Sequence, residues 1–220
     1  MRHLIRVLLA IFTGGFFTIV SAEAEEKTLP MAEPHLETAT FAGGCFWSVE
    51  HLFDDMPGVV SATSGYTGGH QKDPNYHQVS SGETGHAEAV QVVFDPAKIS
   101  FPALLNAFWT NIDPTTPDRQ FCDEGPQYRS AIFYHDDEQK RLAEESKQTL
   151  VQSGRFTRPI VTVIAPAVEF YPAEDYHQDY VKKNPVRYGF YRKGCRRDQA
   201  LEKLWGKKET NSGGSDEQHP

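Results

Sequence analysis

The stretch from Glu37 to Met56, ETATFAGGCFWSVEHLFDDM, decides the fold. Its first six residues, Glu37 to Ala42, read as a strand. After the Gly43-Gly44 break, the apolar residues Phe46, Val49, Leu52, Phe53 and Met56 recur at helical spacing. A strand running into a helix leaves Cys45 at the junction. Working outward, Val59 to Tyr66 is a second strand, and Thr67 to Gly85 a long loop rich in Gly, His, Asn, Pro and Ser. His86 to Asp95 is a third strand, Phe101 to Asn111 a second helix and Tyr128 to His135 a fourth strand. The order β-α-β-β-α-β is the split βαβ, or ferredoxin-like, arrangement, so the fold class is α+β. Beyond it, Asp136 to Ser153 reads as an amphipathic, exposed helix, Pro159 to Ala165 as a strand and Ala173 to Lys182 as a short helix. From Asn184 the chain is rich in Gly, Arg and Lys and reads as a long tail, with residues 207–220 polar enough to be disordered.

A chain of 220 residues that is 39% hydrophobic can bury one sizeable core, and residues 37–206 are expected to form one catalytic domain. The net charge of -8 and the lack of any Lys/Arg run argue against nucleic acid as a partner. At the start, Arg2 and Arg6 precede an uncharged, mostly apolar run from Val7 to Val20, and small residues follow. Residues 1–22 therefore read as a signal peptide, cleaved after Ala22 or Ala24, with residues 23–36 as a linker or arm. The run is shorter than the ~20 residues a membrane span needs, which disfavours an uncleaved anchor. The expected location is a bacterial periplasm, where disulfides persist. Three cysteines, Cys45, Cys122 and Cys195, leave at least one free, paired between chains or chemically active.

Cys45 follows two glycines at a helix N-terminus, where backbone N–H groups favour an anion and lower a thiol's pKa. The competing reading is a small residue packed where strand meets helix. Glu88 shares one strand face with Val90, Val92 and Phe94 by period two. A carboxyl on the core side resists ionisation and can act as a general acid, unless it lies in water at the strand's end or pairs with an arginine. Phe46 and Trp47 could wall a pocket for a small apolar group or simply pack. Tyr76, Tyr128 and Asp123 lie in or beside loops that could reach the same cleft, and alone each is a weak signal. The nine histidines show no metal-ligand spacing, and no nucleotide-binding motif is present, so no cofactor is expected. Two rival functions stay open on these residues. One is a cysteine hydrolase or acyltransferase with Cys45 activated by His86 or His177; the other is a secreted binding module with structural bridges.

Four ordered motifs, Gly44-Cys45-Phe46-Trp47, Gly65-Tyr66-Thr67-Gly68-Gly69, Gly85-His86-Ala87-Glu88-Ala89-Val90 and Gln127-Tyr128-Arg129-Ser130-Ala131-Ile132, resemble those of the type A peptide methionine sulfoxide reductases. Tyr176-His177-Gln178-Asp179-Tyr180 and Lys183-Asn184-Pro185 extend the likeness. The resemblance implies that Cys45 attacks the sulfur of a methionine S-sulfoxide, free or in a damaged protein. It implies that Glu88 protonates the oxygen, Tyr76 and Tyr128 hydrogen-bond to it, Asp123 supports the site, and Phe46 with Trp47 forms the methyl pocket. Cys45 would become a sulfenic acid, to be condensed into a disulfide. Cys195 looks like the recycling cysteine on a mobile tail, so a Cys45–Cys195 bridge is expected. A second tail cysteine, common in the family, is absent. Cys122 is then a second relay thiol or, the favoured reading, a packed bystander. A thioredoxin or thioredoxin-like dithiol is the implied reductant, and the enzyme is expected to be a monomer.

Overall fold

The computed structural model describes residues 35–207; the expected signal peptide, nearly all of the expected arm and the tail from residue 208 lie outside the described residues. In chain order the elements are β1 (Glu37–Gly43), α1 (Phe46–Asp54), β2 (Val59–Thr67), α2 (Tyr76–Ser80), β3 (Ala87–Phe94), α3 (Phe101–Trp109), β4 (Arg119–Gln120) and β5 (Asp123–Glu124). A 3-10 turn (Pro126–Tyr128) follows, then β6 (Ser130–Tyr134), α4 (Asp137–Gln152), β7 (Val163–Pro166), β8 (Tyr171–Pro172), α5 (Tyr180–Lys183), α6 (Pro185–Gly194) and α7 (Arg197–Trp205). The main sheet runs β7-β6-β1-β3-β2-β8, and β4 with β5 makes a separate two-stranded ribbon. The central four, β6-β1-β3-β2, are mutually antiparallel, which is the ferredoxin-like order read from the sequence. β7 extends one edge in parallel and β8 the other antiparallel.

Register explains which side chains meet. Phe41 lies opposite Val90 on one neighbour and Ile132 on the other, and Glu88 lies opposite Tyr66. Period two then sends Glu88, Val90, Val92 and Phe94 to one face, where Phe41, Phe53, Phe101 and Phe108 form an aromatic cluster with Phe41 at its centre. Each buried phenylalanine contributes about 2–3 kcal/mol of burial. The opposite face holds a smaller cluster built on Ala42, Ala87, Ala89, Ala131 and Phe133. Ser100 caps α3 by accepting the Ala103 N–H, and Asp136 caps α4 by accepting that of Gln139.

The strand expected over Pro159 to Ala165 is the shorter β7, the β4–β5 ribbon and β8 were not expected, and three further departures bear on the site. The loop between β2 and β3 contains α2, begun by a reciprocal capping box between Asn75 and Gln78, so Tyr76 opens a helix. The helix expected over Ala173 to Lys182 shrinks to α5, preceded by Asp179 in the left-handed region at φ 52°. The expected irregular segment beyond Asn184 is two helices. α6 buries only Tyr188, and α7 only Arg197 and Leu201, so neither carries an apolar stripe broad enough to read as a helix. Among the described residues no helix is long and apolar enough to cross a membrane.

Candidate active site

Gly44 makes the junction possible. Its φ of +83° belongs to glycine, and a Cβ there would lie 2.5 Å from the Gln120 Cβ. Gln120 is fully buried, its amide accepting the Asp113 N–H and donating to the Asp113 carbonyl. The β4–β5 ribbon is thereby seated directly on the glycine before the thiol. Cys45 occupies the N-cap of α1 and is 6% exposed.

A cavity of about 90 Å³ opens beside it, lined by Cys45, Phe46, Trp47, Tyr76, Glu88, Asp123, Tyr128 and Tyr191. Seven of these eight were singled out from the sequence. Glu88 is 2% exposed, and its Oε2 accepts the Phe46 backbone N–H at 3.0 Å. Burial pushes its carboxyl up to about 8, with Asp123 adding to the rise and the Phe46 N–H opposing it. Glu88 is thus a protonated acid near neutral pH. Burial also raises Tyr76, to about 12, and Tyr128. No protein hydrogen bond to either phenol oxygen exists among the described residues, so both hydroxyls can donate to an oxygen in the cavity.

The electrostatics of Cys45 correct the sequence reading. The helix N-terminus is present, yet burial pushes the thiol up to about 12, and Glu88 and Asp123 push the same way. Contacts with the Tyr191 hydroxyl and the Trp47 N–H oppose the rise without reversing it. Removal from water outweighs the helix terminus, and the resting site is a thiol beside an acid.

Trp47 is fixed from two sides. Its indole N–H donates to His177 Nδ1 at 3.0 Å, and its ring stacks on Tyr180 at 3.7 Å between centroids, nearly parallel. Glu50, buried on α1, accepts the Asp179 N–H and so ties the segment carrying both partners to the helix that carries Trp47. Tyr191, on α6, donates to Asp123 Oδ2 at 2.5 Å. His86 is turned away: Nδ1 accepts the Gly69 N–H, and Nε2 faces the Gln71 carbonyl. Neither His86 nor His177 hydrogen-bonds the thiol among the described residues, so the hydrolase reading loses its base.

The sequence model of the peptide methionine sulfoxide reductases matches residues 37–209. The chain belongs to the peptide methionine sulfoxide reductase family. It is 54% identical over 178 residues to the peptide methionine sulfoxide reductase MsrA of Bacillus licheniformis, covering 81% of this chain and 98% of that one. With the Bacillus subtilis MsrA it shares 53% over 172 residues, covering 78% and 97%. Among solved structures, methionine sulfoxide reductase A of Corynebacterium diphtheriae superposes with a TM-score of 0.63 at 36% identity, over 70% of this chain and 78% of that one. Reduced Mxr1 from Saccharomyces cerevisiae gives 0.63 at 37%, over 69% and 87%. Membership makes this reductase an oxidoreductase that returns methionine sulfoxide to methionine.

The cysteine pairing differs from the expected one. Cys122 is bonded to Cys195, with their Cα atoms 5.0 Å apart and their positions separated by 73 in sequence, and Cys45 is free. Cys122 is therefore no packed bystander: it is exposed at the turn of the β4–β5 ribbon, where Phe121 adopts φ 55°. The segment expected to be irregular is helical, with Cys195 at the C-cap of α6 and α7 starting two residues later. Sequence reasoning also missed Tyr191, Tyr180 and Arg197 as parts of the site. Tyr191 stands four residues before Cys195, one helical turn, a signal visible only once the segment is read as helix.

Proposed function

We propose that this reductase is an exported enzyme that acts on methionine S-sulfoxide, in proteins or free, through Cys45 and a two-cysteine relay. The observation that carries the reading is the convergence of Cys45, Glu88, Tyr76 and Tyr128 on one small cavity walled by Phe46 and Trp47. A sulfoxide sulfur is attacked when its oxygen is protonated or hydrogen-bonded, and this cavity offers one buried carboxylic acid and two phenols for that oxygen. The apolar wall suits the methyl group. Glu88 gives its proton to the oxygen and takes the thiol proton of Cys45 as the Cys45 sulfur bonds to the sulfoxide sulfur. The hydroxyl then passes to the Cys45 sulfur while the S–O bond and the new S–S bond break, so methionine leaves and Cys45 remains as sulfenic acid. Asp123 and Tyr191 hold the far side of the cavity.

Recycling follows in three balanced steps. The Cys195 thiol condenses with the sulfenic acid, forming a Cys45–Cys195 bond and releasing water. Cys122 then displaces Cys45 from Cys195, restoring the Cys45 thiol. The Cys122–Cys195 bridge with Cys45 free is the product of that second step and supports the order. A thioredoxin-like dithiol reduces the exposed bridge. Arg2, Arg6 and the apolar run after them support export through a cleaved signal at residues 1–22, and repair of oxidised exported proteins.

The test is a reduction assay with separated S and R epimers and dithiothreitol, followed by disulfide mapping after stoichiometric sulfoxide. S-epimer turnover ending in a Cys122–Cys195 bridge is expected. Equal use of both epimers, or Cys122 remaining a free thiol, overturns the corresponding part. Mass analysis of the mature N-terminus after expression in a bacterial host tests export, and an intact Met1 in the processed protein removes it.

A further inference from the structure

Arg197 is an anomaly that the site chemistry described so far leaves unused. Its side chain is 3% exposed, although an arginine is almost never buried unless paired. Nη2 donates to the Asn111 carbonyl at 2.8 Å, and the guanidinium lies over the Phe121 ring at 4.5 Å. Nη1 is buried and has no hydrogen-bond partner among the described residues. That nitrogen sits 3.8 Å from where a Cβ on Gly44 would stand, against the residue before Cys45. Arg197 also follows Cys195 by two residues, and Phe121 precedes Cys122 by one. Arg197 thus stands near all three cysteines, its guanidinium against the neighbours of Cys45 and Cys122 and its backbone two residues from Cys195.

The relay step explains the need for a cation there. When the Cys122 thiolate attacks Cys195, a Cys122–Cys195 bond forms and the Cys45–Cys195 bond breaks. The electron pair leaves on Cys45, so a charge that entered at the exposed rim ends on a buried sulfur. The titratable groups acting on that sulfur from β3, the β4–β5 ribbon, α2, the 3-10 turn and α6 are Glu88, Asp123, Tyr76, Tyr128 and Tyr191, every one an acid. Arg197, at the start of α7, interacts with Cys45, Asp123, Tyr188, Tyr191 and its fellow cation Arg192.

We propose that Arg197 is the charge-compensating positioning residue of the relay: it steadies Cys45 as the departing thiolate and, through Phe121, holds Cys122 within reach of Cys195. The charge-balancing role rests on the relay reading above; the effect on Cys45 does not. With the bridge formed, Cys45 is the sole thiol of the chain, so its alkylation by iodoacetamide can be followed by mass spectrometry across pH without other cysteines interfering. Arg197→Gln is expected to slow alkylation roughly tenfold at a given pH, the loss of thiolate that one pH unit represents, whereas Arg197→Lys keeps the rate within about threefold. An unchanged rate in Arg197→Gln overturns the proposal. If that variant does not fold, a roughly tenfold slower rate in Arg197→Lys overturns it instead. In parallel, Arg197→Gln given stoichiometric sulfoxide should accumulate the Cys45–Cys195 species. Absence of that species even in Cys122→Ser counts against the relay, while slowed alkylation would still uphold the cation's action on Cys45.

Discussion

The strand-to-helix junction that carries Cys45 and the rim that carries the Cys122–Cys195 bridge differ in every physical respect. The junction is buried, built by contiguous residues, and packed on the central strands. The rim is exposed at Cys122 and assembled from a ribbon turn and, 73 positions later in sequence, the junction of two helices. Attack on a sulfoxide needs the first setting, where water is excluded and an acid keeps its proton. Exchange with an outside dithiol needs the second, where a sulfur can be reached. Placing Tyr191 and Asp123 between them lets one molecule hold both environments without merging them.

Substitutions can break that division. Cys45→Ser should lower the first turnover by at least ~10³-fold, whatever the state of the rim, as measured by methionine released in the absence of reductant. Glu88→Gln should lower it by roughly 10²–10⁴-fold, the range for loss of a general acid. The wild-type rate of that step should fall as pH rises through about 8, where Glu88 loses its proton. Because its carboxyl is raised on folding, Glu88 contributes stability that is complete below the ordinary glutamate range and lost as pH rises through about 8. Glu88→Gln should therefore gain on the wild type in urea titrations at pH 8.5 relative to pH 4.5. Cys122→Ser should leave the first turnover within about twofold and cut thioredoxin-supported turnover by at least tenfold; equal loss of both would merge the two regions. Gly44→Ala should cost about 1–3 kcal/mol in stability, since its Cβ would meet Gln120 on a backbone strained for any side chain.

The two regions also differed in how far the sequence disclosed them. The junction was legible because its signals are local: alternation in β1, helical spacing after Gly44, and the shared face of Glu88 with Val90 and Val92. The rim was not. α6 and α7 bury one or two residues each, so periodicity fails, and the partner of Cys195 is set by tertiary packing over a long separation. The Cys45 thiol was misread for a related reason. A helix N-terminus can be recognised in sequence, whereas the desolvation that overrides it depends on the ribbon, α6 and β3 closing over the site together.

The Cys122–Cys195 bond also works as a staple. It closes a span of 73 residues, which restricts the unfolded chain by on the order of 4 kcal/mol. In the proposed relay that staple forms at the end of each catalytic round and is cut only by incoming electrons. When reducing power runs short, the idle molecules therefore collect in their most cross-linked form. Oxidative stress, which creates the damage, also leaves the waiting repair machinery at its hardiest.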